Sequence, residues 1–376
     1  MTPPTIAPKA TSVAVVGAGI VGLSTAAALV DRGVTVTVFE RGSPGSGQSG
    51  GSSRIFRHAH DDPRLVQLAQ RSLVIWRAWE QRFGTQLVSS DGAVAVGPAV
   101  QRRFEALTAV GGVAARLIDG AEVPRFLPMS AGYDGPALVD HTAGTIRTRA
   151  AIGSLTRVLR DHLVADEVYA VVPRSTGVVE VVAGGSTAPF DHAVICAGHD
   201  IAQLARGLGC TLPVALEAHI RFAFGVRDGL VAQMACLQDA SGRFSHVSAY
   251  GSRQPGGRAY AVGLSRPIAV TDDGGVADAD AFARARQETC DYVRRALPGL
   301  EPQPVGSRAC WITRLPWGDD GLAVWQEGNV HIVAGHNLFK LAPWIGTAVA
   351  DAIVDGEPYD DLHPDAGLGS APAPRR

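Results

Sequence analysis

Three glycines and one glutamate form the clearest chemical pattern in the sequence. Gly17, Gly19 and Gly22 stand in VAVVGAGIVG, between a short apolar strand pattern and a helical pattern. Gly17 permits a tight turn, Gly19 lets a pyrophosphate approach the backbone, and Gly22 lets the helix pack closely on the strand. Glu40 ends the next strand pattern, where its carboxylate accepts hydrogen bonds from a ribose and repels a 2′-phosphate. The pattern predicts a site for a dinucleotide of the FAD or NAD type.

The rarity of lysine provides a second pattern. Of the 34 basic residues, only Lys9 and Lys340 are lysine, and all the others are arginine. Lys9 belongs to a Pro-rich and Ala-rich N-terminal stretch. Because the composition favours arginine so strongly, Lys340 is a candidate functional residue.

The composition excludes several classes of protein. The 376 residues include 34 basic and 36 acidic side chains, so the formal net charge of −2 produces no strong field that attracts nucleic acid or a membrane surface. The five cysteines form an odd set without a CxxC pair, which fits neither a disulfide framework nor a zinc site. We therefore expect a small-molecule partner, no metal, no nucleic acid and a reducing, cytoplasmic location.

One uncharged stretch, residues 13–30, does not have the pattern of a membrane span. It contains three glycines, lacks a basic segment before it, and is followed at once by Asp31 and Arg32. We interpret it as a buried strand and a buried helix.

The hydrophobic periodicity predicts alternating α/β segments at both ends of the chain and β-rich segments between them. A βαβ unit is expected from residues 12–16, 22–32 and 34–40. Further helices are predicted at residues 62–83, 148–163, 278–297 and 343–354. Further strands are predicted at residues 94–97, 190–198, 221–226, 258–265 and 330–334.

Two features favour FAD over NAD. A Gly/Ser loop at residues 42–53 runs directly into arginines, and the late strand FDHAVICAG ends at Gly198. In flavoproteins a second glycine-ended strand closes on the cofactor, whereas NAD dehydrogenases usually lack both features.

Several segments together resemble one family. GAGIVGLSTAAALVDRGVTVTVFERG, SSRIFRHAH, DGAVAVG, FDHAVICAG, RACWITRLPWGDDGLAV and AGHNLFKLAPWIGTAVADAI occur in the order found in the D-amino-acid oxidase superfamily. Within it they are most similar to the branch of monomeric sarcosine oxidase, N-methyltryptophan oxidase and pipecolate oxidase. The resemblance spans residues 12–353. It implies bound FAD, hydride removal from a carbon next to an amine, and release of an imine.

The resemblance also implies the fold class. We expect an α/β plus α+β protein in which a Rossmann-like FAD-binding domain is interleaved with a β-sheet-rich substrate domain. The FAD-binding domain is expected at residues 1–85, 145–205 and 306–376, and the substrate-binding domain at residues 86–144 and 206–305.

Matched positions suggest the site residues. Arg57 and Lys340 match a pair that binds the substrate carboxylate, so the expected substrate is a small amine carrying a carboxylate. Cys310 matches a cysteine that forms a thioether to the flavin, and the alternative is a buried structural cysteine. Tyr250 matches a pocket tyrosine, with plain packing as the alternative. Further residues are expected to contact the cofactor: Arg41, Ser53, Arg54, Gly198, Gly335, Asn337, Leu338 and Phe339. Lys340 is expected to border the cofactor as well as the substrate.

The sequence departs from this branch at three points. Ala261 stands where the branch carries a lysine that helps the reduced flavin react with oxygen, and Arg258, three residues away, has the opposite strand parity. Ser265 replaces a pocket histidine. The turn AGHNLFK is two residues shorter than is usual in the branch. These changes suggest a substrate other than sarcosine.

Several functions therefore remain open at this point. The first is an FAD-dependent amino-acid or N-alkyl amino-acid oxidase that uses O2. The second is a dehydrogenase with another electron acceptor, and the third a biosynthetic enzyme that dehydrogenates a cyclic amine or imine carboxylate. An NAD-linked dehydrogenase would be colourless. A non-catalytic flavoprotein subunit or assembly factor would be favoured by loss of Arg57 and Lys340, and both are present.

Overall fold

A computed structural model describes residues 11–228, 233–271 and 275–369. The strands are β1 Ser12–Val16, β2 Thr35–Phe39, β3 Ser53–Phe56, β4 Ala93–Val96, β5 Ala115–Asp119, β6 Pro136–Asp140, β7 Gly144–Arg147, β8 Leu163–Val164, β9 Val168–Pro173, β10 Val179–Ala183, β11 Ser186–Phe190, β12 His192–Ile195, β13 Ala215–Val226, β14 Cys236–Asp239, β15 Ala249–Arg253, β16 Ala259–Leu264, β17 Leu300–Arg314, β18 Leu322–Glu327 and β19 Val330–Gly335. The helices are α1 Ile20–Val30, α2 Pro63–Phe83, α3 Val100–Val110, α4 Thr148–Val158, α5 Ile201–Gly207, α6 Ala279–Ala296 and α7 Ala342–Val354.

A six-stranded sheet forms the centre of the nucleotide-binding part. Its strand order is β18-β19-β12-β1-β2-β8, with β18 antiparallel to β19 and the other strands parallel. Helices α1, α2, α4 and α7 pack on one face, because their apolar residues and those of the sheet form a single buried cluster. On the other face, α5 and the three-stranded sheet β11-β10-β9 enclose a second cluster.

An eight-stranded sheet forms the second part. Its strand order is β17-β13-β16-β15-β14-β4-β6-β5, and only the β14–β4 pair is parallel. Helix α6 covers one face, where Ile220, Phe222 and Phe224 of β13 are buried against it. Because side chains alternate along a strand, His219 and Arg221 lie on the opposite face.

The expected fold class is confirmed, since a parallel Rossmann-like sheet is interleaved along the chain with an antiparallel sheet. The predicted α4 is too long, because regular helix ends at Val158 and a short 3-10 turn follows. Strand β17 was not predicted in the sequence. It runs beside β13 as far as Arg314, so the proposed domain boundary at residue 306 falls inside a strand of the eight-stranded sheet.

The division into domains otherwise stays a prediction. Lys9 and the outermost parts of the expected FAD-binding domain, residues 1–10 and 370–376, lie outside the described residues. Within the described ranges, every helix falls short of the length or the apolar character that crossing a bilayer requires.

Candidate active site

The loop between β1 and α1 has no room for side chains at its two key glycines. Gly17 has a φ of 100°, and a Cβ there would lie 2.6 Å from the carbonyl oxygen of Cys196. A Cβ on Gly22 would lie 1.9 Å from the carbonyl oxygen of Gly17. Glycine at both positions therefore lets the loop, β12 and α1 come together, which is the arrangement that brings a pyrophosphate to the backbone.

Glu40 lies beside this loop at the end of β2. Its Oε2 accepts a hydrogen bond of 2.8 Å from the backbone N–H of Ala18, and its Oε1 accepts one of 2.8 Å from Gly42. The carboxylate is thus held in place and still has lone pairs for a ribose hydroxyl. Arg41 is engaged by two acids, Asp200 at 2.7 Å and Glu167 at 3.2 Å.

One cavity of about 1120 Å³ extends from this loop to Lys340 and is bordered by both sheets. Most of the residues predicted to form the cofactor and substrate sites line it: Gly17, Gly19, Glu40, Arg41, Arg54, Arg57, Gly198, Tyr250, Cys310, Gly335, Asn337, Leu338, Phe339 and Lys340. Gly22 and Ser53 are not part of its lining. Gly22 lies beneath the loop, and Ser53 lies behind Arg54, where its carbonyl oxygen accepts hydrogen bonds from two arginines.

The face of the eight-stranded sheet that faces away from α6 contributes one wall of the cavity. Arg221 of β13 pairs with Gly263 of β16, and Gly263 pairs with Tyr250 of β15. A Cβ on Gly263 would lie 2.6 Å from the Tyr250 ring, so glycine allows Arg221 and Tyr250 to meet across it. The Arg221 guanidinium lies 5.7 Å from the centre of the Tyr250 ring. Burial raises the pKa of Tyr250, so its hydroxyl keeps its proton at neutral pH.

Arg221 is a buried cation with no acidic partner among the residues that the structure describes. Its Nη1 donates to the carbonyl oxygen of Ser53 and its Nη2 donates to Ser252 Oγ, both at 2.8 Å. Its Nε has no hydrogen-bond partner. Ser252 pairs directly with Ala261, the position at which the related branch carries a lysine. The cation near Ala261 is therefore Arg221, whereas Arg258 is exposed and outside the cavity lining.

Arg54 lies next to Arg221 and also lacks an ion pair with any described acid. Its guanidinium donates to three carbonyl oxygens, those of Gly50 at 2.6 Å, Ser53 at 3.0 Å and Gln48 at 3.1 Å. Burial lowers the pKa of Arg54, and the nearby Cys310 sulfur opposes that shift. Cys310 is half-buried on β17 and borders the cavity, so its sulfur lies near the Arg54 cation.

Arg57 and Lys340 converge on Asp320, an acid that the sequence did not single out. Arg57 Nη2 donates to Asp320 Oδ2 at 2.6 Å, and Lys340 Nζ donates to Asp320 Oδ1 at 2.8 Å. Arg57 also contacts His60 Nδ1 at 3.1 Å and the carbonyl oxygen of Ala59. Arg57, Lys340 and Asp320 are 7%, 3% and 1% exposed. We call these three residues the clamp.

The charges in the clamp depend on one another. Burial alone would raise the pKa of Asp320, but Arg57 and Lys340 hold that pKa well below its ordinary value. Burial lowers the pKa of Lys340 to about 8, although Asp320 opposes the shift. Burial and Arg57 lower the pKa of His60 to about 3, so this imidazole is neutral at pH 7. Two cations and one carboxylate leave the clamp with a single excess positive charge while Lys340 is protonated.

The backbone at the clamp is in an uncommon conformation. Among the described residues, Asp320 at φ 61° and Asn337 at φ 58° are the two non-glycine residues with positive φ. Both hold Lys340, since its Nζ also donates to the Asn337 carbonyl oxygen at 3.3 Å. Asp and Asn tolerate this conformation better than other residues, and such positions are concentrated at functional sites.

Surrounding elements fix the two cations of the clamp in place. Ser72 Oγ and Trp76 Nε1 of α2 donate to the carbonyl oxygen of Lys340 at 2.8 and 3.1 Å. Next to Arg57, the backbone N–H of His58 donates to Asp140 at 2.8 Å. His58 is 2% exposed and its ring contacts the same carboxylate, so it has the surroundings of a structural histidine.

Two histidines in the cavity were missed in the sequence. His219 Nε2 and His336 Nδ1 are buried and have no hydrogen-bond partner. Their rings are perpendicular at 6.3 Å, and both border the cavity, as Ser265 does. Burial lowers the pKa of His219 to about 3 and that of His336 to about 4, so both are neutral hydrogen-bonding groups at pH 7.

The cavity residues fit a flavin nucleotide. The glycines at the junction of β1 and α1 suit a pyrophosphate, and the carboxylate of Glu40 suits a ribose hydroxyl. The fold and this site define a flavin-dependent oxidoreductase. Residues 12–352 match the DAO family, described as FAD dependent oxidoreductase, and the chain belongs to this family. The expected cofactor, FAD, and an oxidoreductase activity are thereby confirmed.

Two relatives are bifunctional proteins named for tRNA 5-methylaminomethyl-2-thiouridine biosynthesis, MnmC. The protein from Thiobacillus denitrificans is 29% identical over 400 residues, which cover 96% of this chain and 59% of that protein. The protein from Chromohalobacter salexigens is 57% identical over 49 residues, which cover 13% of this chain. The chain thus spans about three-fifths of the length of the first relative.

Three solved structures have folds similar to that of this chain, each at less than 25% sequence identity. NikD, an unusual amino acid oxidase essential for nikkomycin biosynthesis, has a TM-score of 0.80 at 22% identity and covers 96% of this chain and 98% of its own. L-proline dehydrogenase from P. horikoshii has a TM-score of 0.79 at 20% identity, with 94% and 96% covered. Glycine oxidase from Geobacillus kaustophilus has a TM-score of 0.75 at 20% identity, with 94% and 96% covered.

Proposed function

We propose that this protein oxidises the C–N bond of a small amine that carries a carboxylate, an amino acid or N-alkyl amino acid, to an imine. The observation that carries this proposal is the excess positive charge of the clamp at one end of the flavin cavity. A buried net charge is costly unless an opposite charge joins it. One substrate carboxylate would neutralise the clamp, so a carboxylate is the group that the site is best suited to bind.

The flavin supplies the acceptor for the hydride that leaves the carbon next to the nitrogen. The chain's own residues bind and orient the substrate. Arg57 and Lys340 fix the carboxylate and thereby the direction of the neighbouring C–H bond. The same cations disfavour a protonated amine nearby, which keeps the nitrogen lone pair available. His219 and His336 are neutral at pH 7 and their free nitrogens can hydrogen-bond to the amine or its leaving proton.

We propose that Cys310 binds the flavin covalently. Its sulfur borders the cavity, is only half-buried and lies near the Arg54 cation. Cys196 also borders the cavity and Cys236 is buried outside its lining, and burial raises the pKa of both of these thiols to about 12. Acid precipitation tests the bond: flavin colour should remain with the pellet of the unaltered protein and be released from Cys310→Ser.

We propose O2 as the electron acceptor. Arg221 supports this choice, because a fixed buried cation next to Ala261 stabilises the negative charge that appears when oxygen receives an electron. We also propose a cytoplasmic location, since none of the five cysteines forms a disulfide.

A second candidate substrate is an amine attached to a tRNA base. The name of the 29%-identical relative concerns tRNA 5-methylaminomethyl-2-thiouridine biosynthesis. Arg102, whose side chain is 64% exposed, and Arg103 line the cavity and place positive charge there. Both arginines form ion pairs with Asp61 at 3.2 and 3.1 Å, which reduces the charge available to phosphates.

An anaerobic titration distinguishes these substrates. We expect the purified protein to be yellow and its visible absorption to bleach when an amino acid of the correct type is added. Re-oxidation on admission of air supports O2 as the acceptor. A colourless, flavin-free protein would remove the proposal, and bleaching by modified tRNA alone would replace the first substrate with the second.

A further inference from the structure

Asp320 is a buried carboxylate to which the proposed reaction gives no task. It is 1% exposed and receives hydrogen bonds from Arg57 at 2.6 Å and Lys340 at 2.8 Å, with His60 Nδ1 at 3.3 Å. Without it, the two cations would repel each other in a buried site. With it, three charges meet where the substrate carboxylate is proposed to bind.

We propose that Asp320 is a positioning residue that holds Lys340 in its charged form beside Arg57, so that the clamp keeps one excess positive charge and binds one substrate carboxylate at neutral pH. This inference rests on the proposed function. Asp320 acts through Arg57 and Lys340, so it is a positioning residue and need not touch the substrate. One carboxylate oxygen of Asp320 accepts from Arg57 and the other from Lys340, so Asp320 fixes the distance between the two cations. The clamp then has one excess positive charge, which one further carboxylate would neutralise.

The backbone supports a dedicated role for this residue. Asp320 occupies a left-handed conformation at φ 61°, and so does Asn337, whose carbonyl oxygen is the other acceptor for Lys340 Nζ. The two unusual backbone positions in the described chain therefore both serve the same ammonium group. Residues held in this region persist only where the surrounding structure requires them.

Lys340 is the clamp residue whose charge changes with pH near neutrality. Burial and Arg57 lower its pKa to about 8 and Asp320 opposes that shift, so the ammonium is present below pH 8 and is lost above it. Carboxylate affinity should therefore fall as the pH rises through 8. The charged and titratable groups that face Lys340 are Arg57, His60, Asp319, Asp320 and His336.

Asp319 provides a matched control for Asp320. Its side chain is 60% exposed and forms an ion pair with Arg314 at 2.7 Å, one residue from the clamp but outside it. Asp319→Asn removes the same charge as Asp320→Asn while leaving the contacts to Arg57 and Lys340. A general effect of negative charge near the cavity should appear in both variants, whereas the clamp contact is lost only in Asp320→Asn.

The experiment measures binding of benzoate to the holoenzyme by the change in visible flavin absorption between about pH 6 and 9.5, with uncharged benzamide as the reference ligand. For the unaltered protein, we expect the dissociation constant to rise tenfold per pH unit above about 8. For Asp319→Asn, the rise should begin at a slightly lower pH, because Asp319 also raises the pKa of Lys340, though less than Asp320 does. For Asp320→Asn, the rise should begin at least about one pH unit lower, because the ammonium has lost its carboxylate. Benzamide binding should not vary with pH.

Lys340→Arg keeps the test decisive if Asp320→Asn does not fold. A guanidinium does not titrate in this range, so benzoate binding should become independent of pH. Equal profiles for Asp320→Asn and the unaltered protein, or a pH-dependent rise retained in Lys340→Arg, would overturn the role of Asp320 while leaving the carboxylate site intact. Absence of any benzoate binding to the unaltered holoenzyme at pH 6 would instead refute the carboxylate substrate and the inference with it.

Discussion

Two pairs of cations border the same cavity, and they differ in what compensates their charge. Arg57 and Lys340 share the carboxylate of Asp320, at 2.6 and 2.8 Å. Arg54 and Arg221 donate only to uncharged oxygens, those of backbone carbonyl groups and of Ser252. We call them the compensated pair and the uncompensated pair.

The difference indicates what each pair is for. A buried cation without an acid is costly, and it is retained where negative charge arises during the reaction. The uncompensated pair, fixed on its strands, suits charge that appears on electron transfer. The compensated pair contains an internal carboxylate and a titratable lysine, so its charge can match that of a bound ligand. The two pairs should therefore respond differently to substitution, ligand and pH.

The largest expected effect is on the uncompensated pair. In Arg221→Met, reaction of the dithionite-reduced protein with O2 should slow by at least about 100-fold, because the fixed positive charge is lost. Stopped-flow measurement of flavin re-oxidation gives this rate without any knowledge of the substrate. Arg258→Met, which removes an exposed arginine outside the cavity, serves as the control and should keep the original rate. Equal rates in both variants would contradict the assignment of Arg221.

A smaller effect is expected on the compensated pair. Arg57→Gln should raise KM for the carboxylate-bearing substrate about 10- to 100-fold, since a charge-assisted hydrogen bond contributes about 1.5–3 kcal/mol. Arg258→Gln removes an exposed arginine outside the cavity lining and should leave that KM unchanged. If KM stays constant in Arg57→Gln, the substrate carboxylate is bound elsewhere.

The pH dependence should separate the two pairs in a single preparation. Lys340 loses its proton above its pKa of about 8, so binding of a carboxylate should weaken about tenfold per pH unit beyond that point. Arginines keep their protons in this range, so the rate of re-oxidation should stay constant between about pH 6 and 9. A re-oxidation rate that falls in parallel with carboxylate affinity would remove the distinction between the pairs.

The smallest expected effect concerns the support of the clamp. Ser72→Ala removes one hydrogen bond to the Lys340 carbonyl oxygen and should lower the free energy of unfolding by about 1 kcal/mol in urea titrations. Asp62→Ala removes the N-terminal cap of the same helix, α2, at a comparable cost in stability. Carboxylate affinity should change only in Ser72→Ala, and an equal change in Asp62→Ala would assign the effect to the helix as a whole.

Much of the nucleotide-binding part could be predicted, because its signals are local. The glycine spacing, Glu40 and the apolar periodicity of β1, α1 and β2 lie within one short segment, and each residue type has its own steric or polar task. Strand β17 was missed because its exposed edge lacks a clear alternation of apolar residues. The resemblance to a known branch, more than any pattern, singled out Arg57 and Lys340.

The rest of the site depends on contacts between distant segments. Asp319 and Asp320 are adjacent acids in GDDG, and nothing in the sequence distinguishes the exposed one from the buried one. Arg221 is one of many arginines, and its lack of an acid partner becomes visible only when β13, β15 and β3 lie side by side. A rare lysine was a useful signal, but a common arginine offered none.

The most direct test of the central claim compares pairs of amines with and without their carboxylate under anaerobic conditions. The purified protein is titrated with amino acids and with the corresponding decarboxylated amines, and bleaching of the visible flavin absorption is recorded. We predict that an amino acid with one carboxylate bleaches the flavin. Its decarboxylated counterpart should need at least about 100-fold higher concentration for half-maximal bleaching. Equal bleaching by both members of a pair would contradict the claim that the clamp binds a substrate carboxylate.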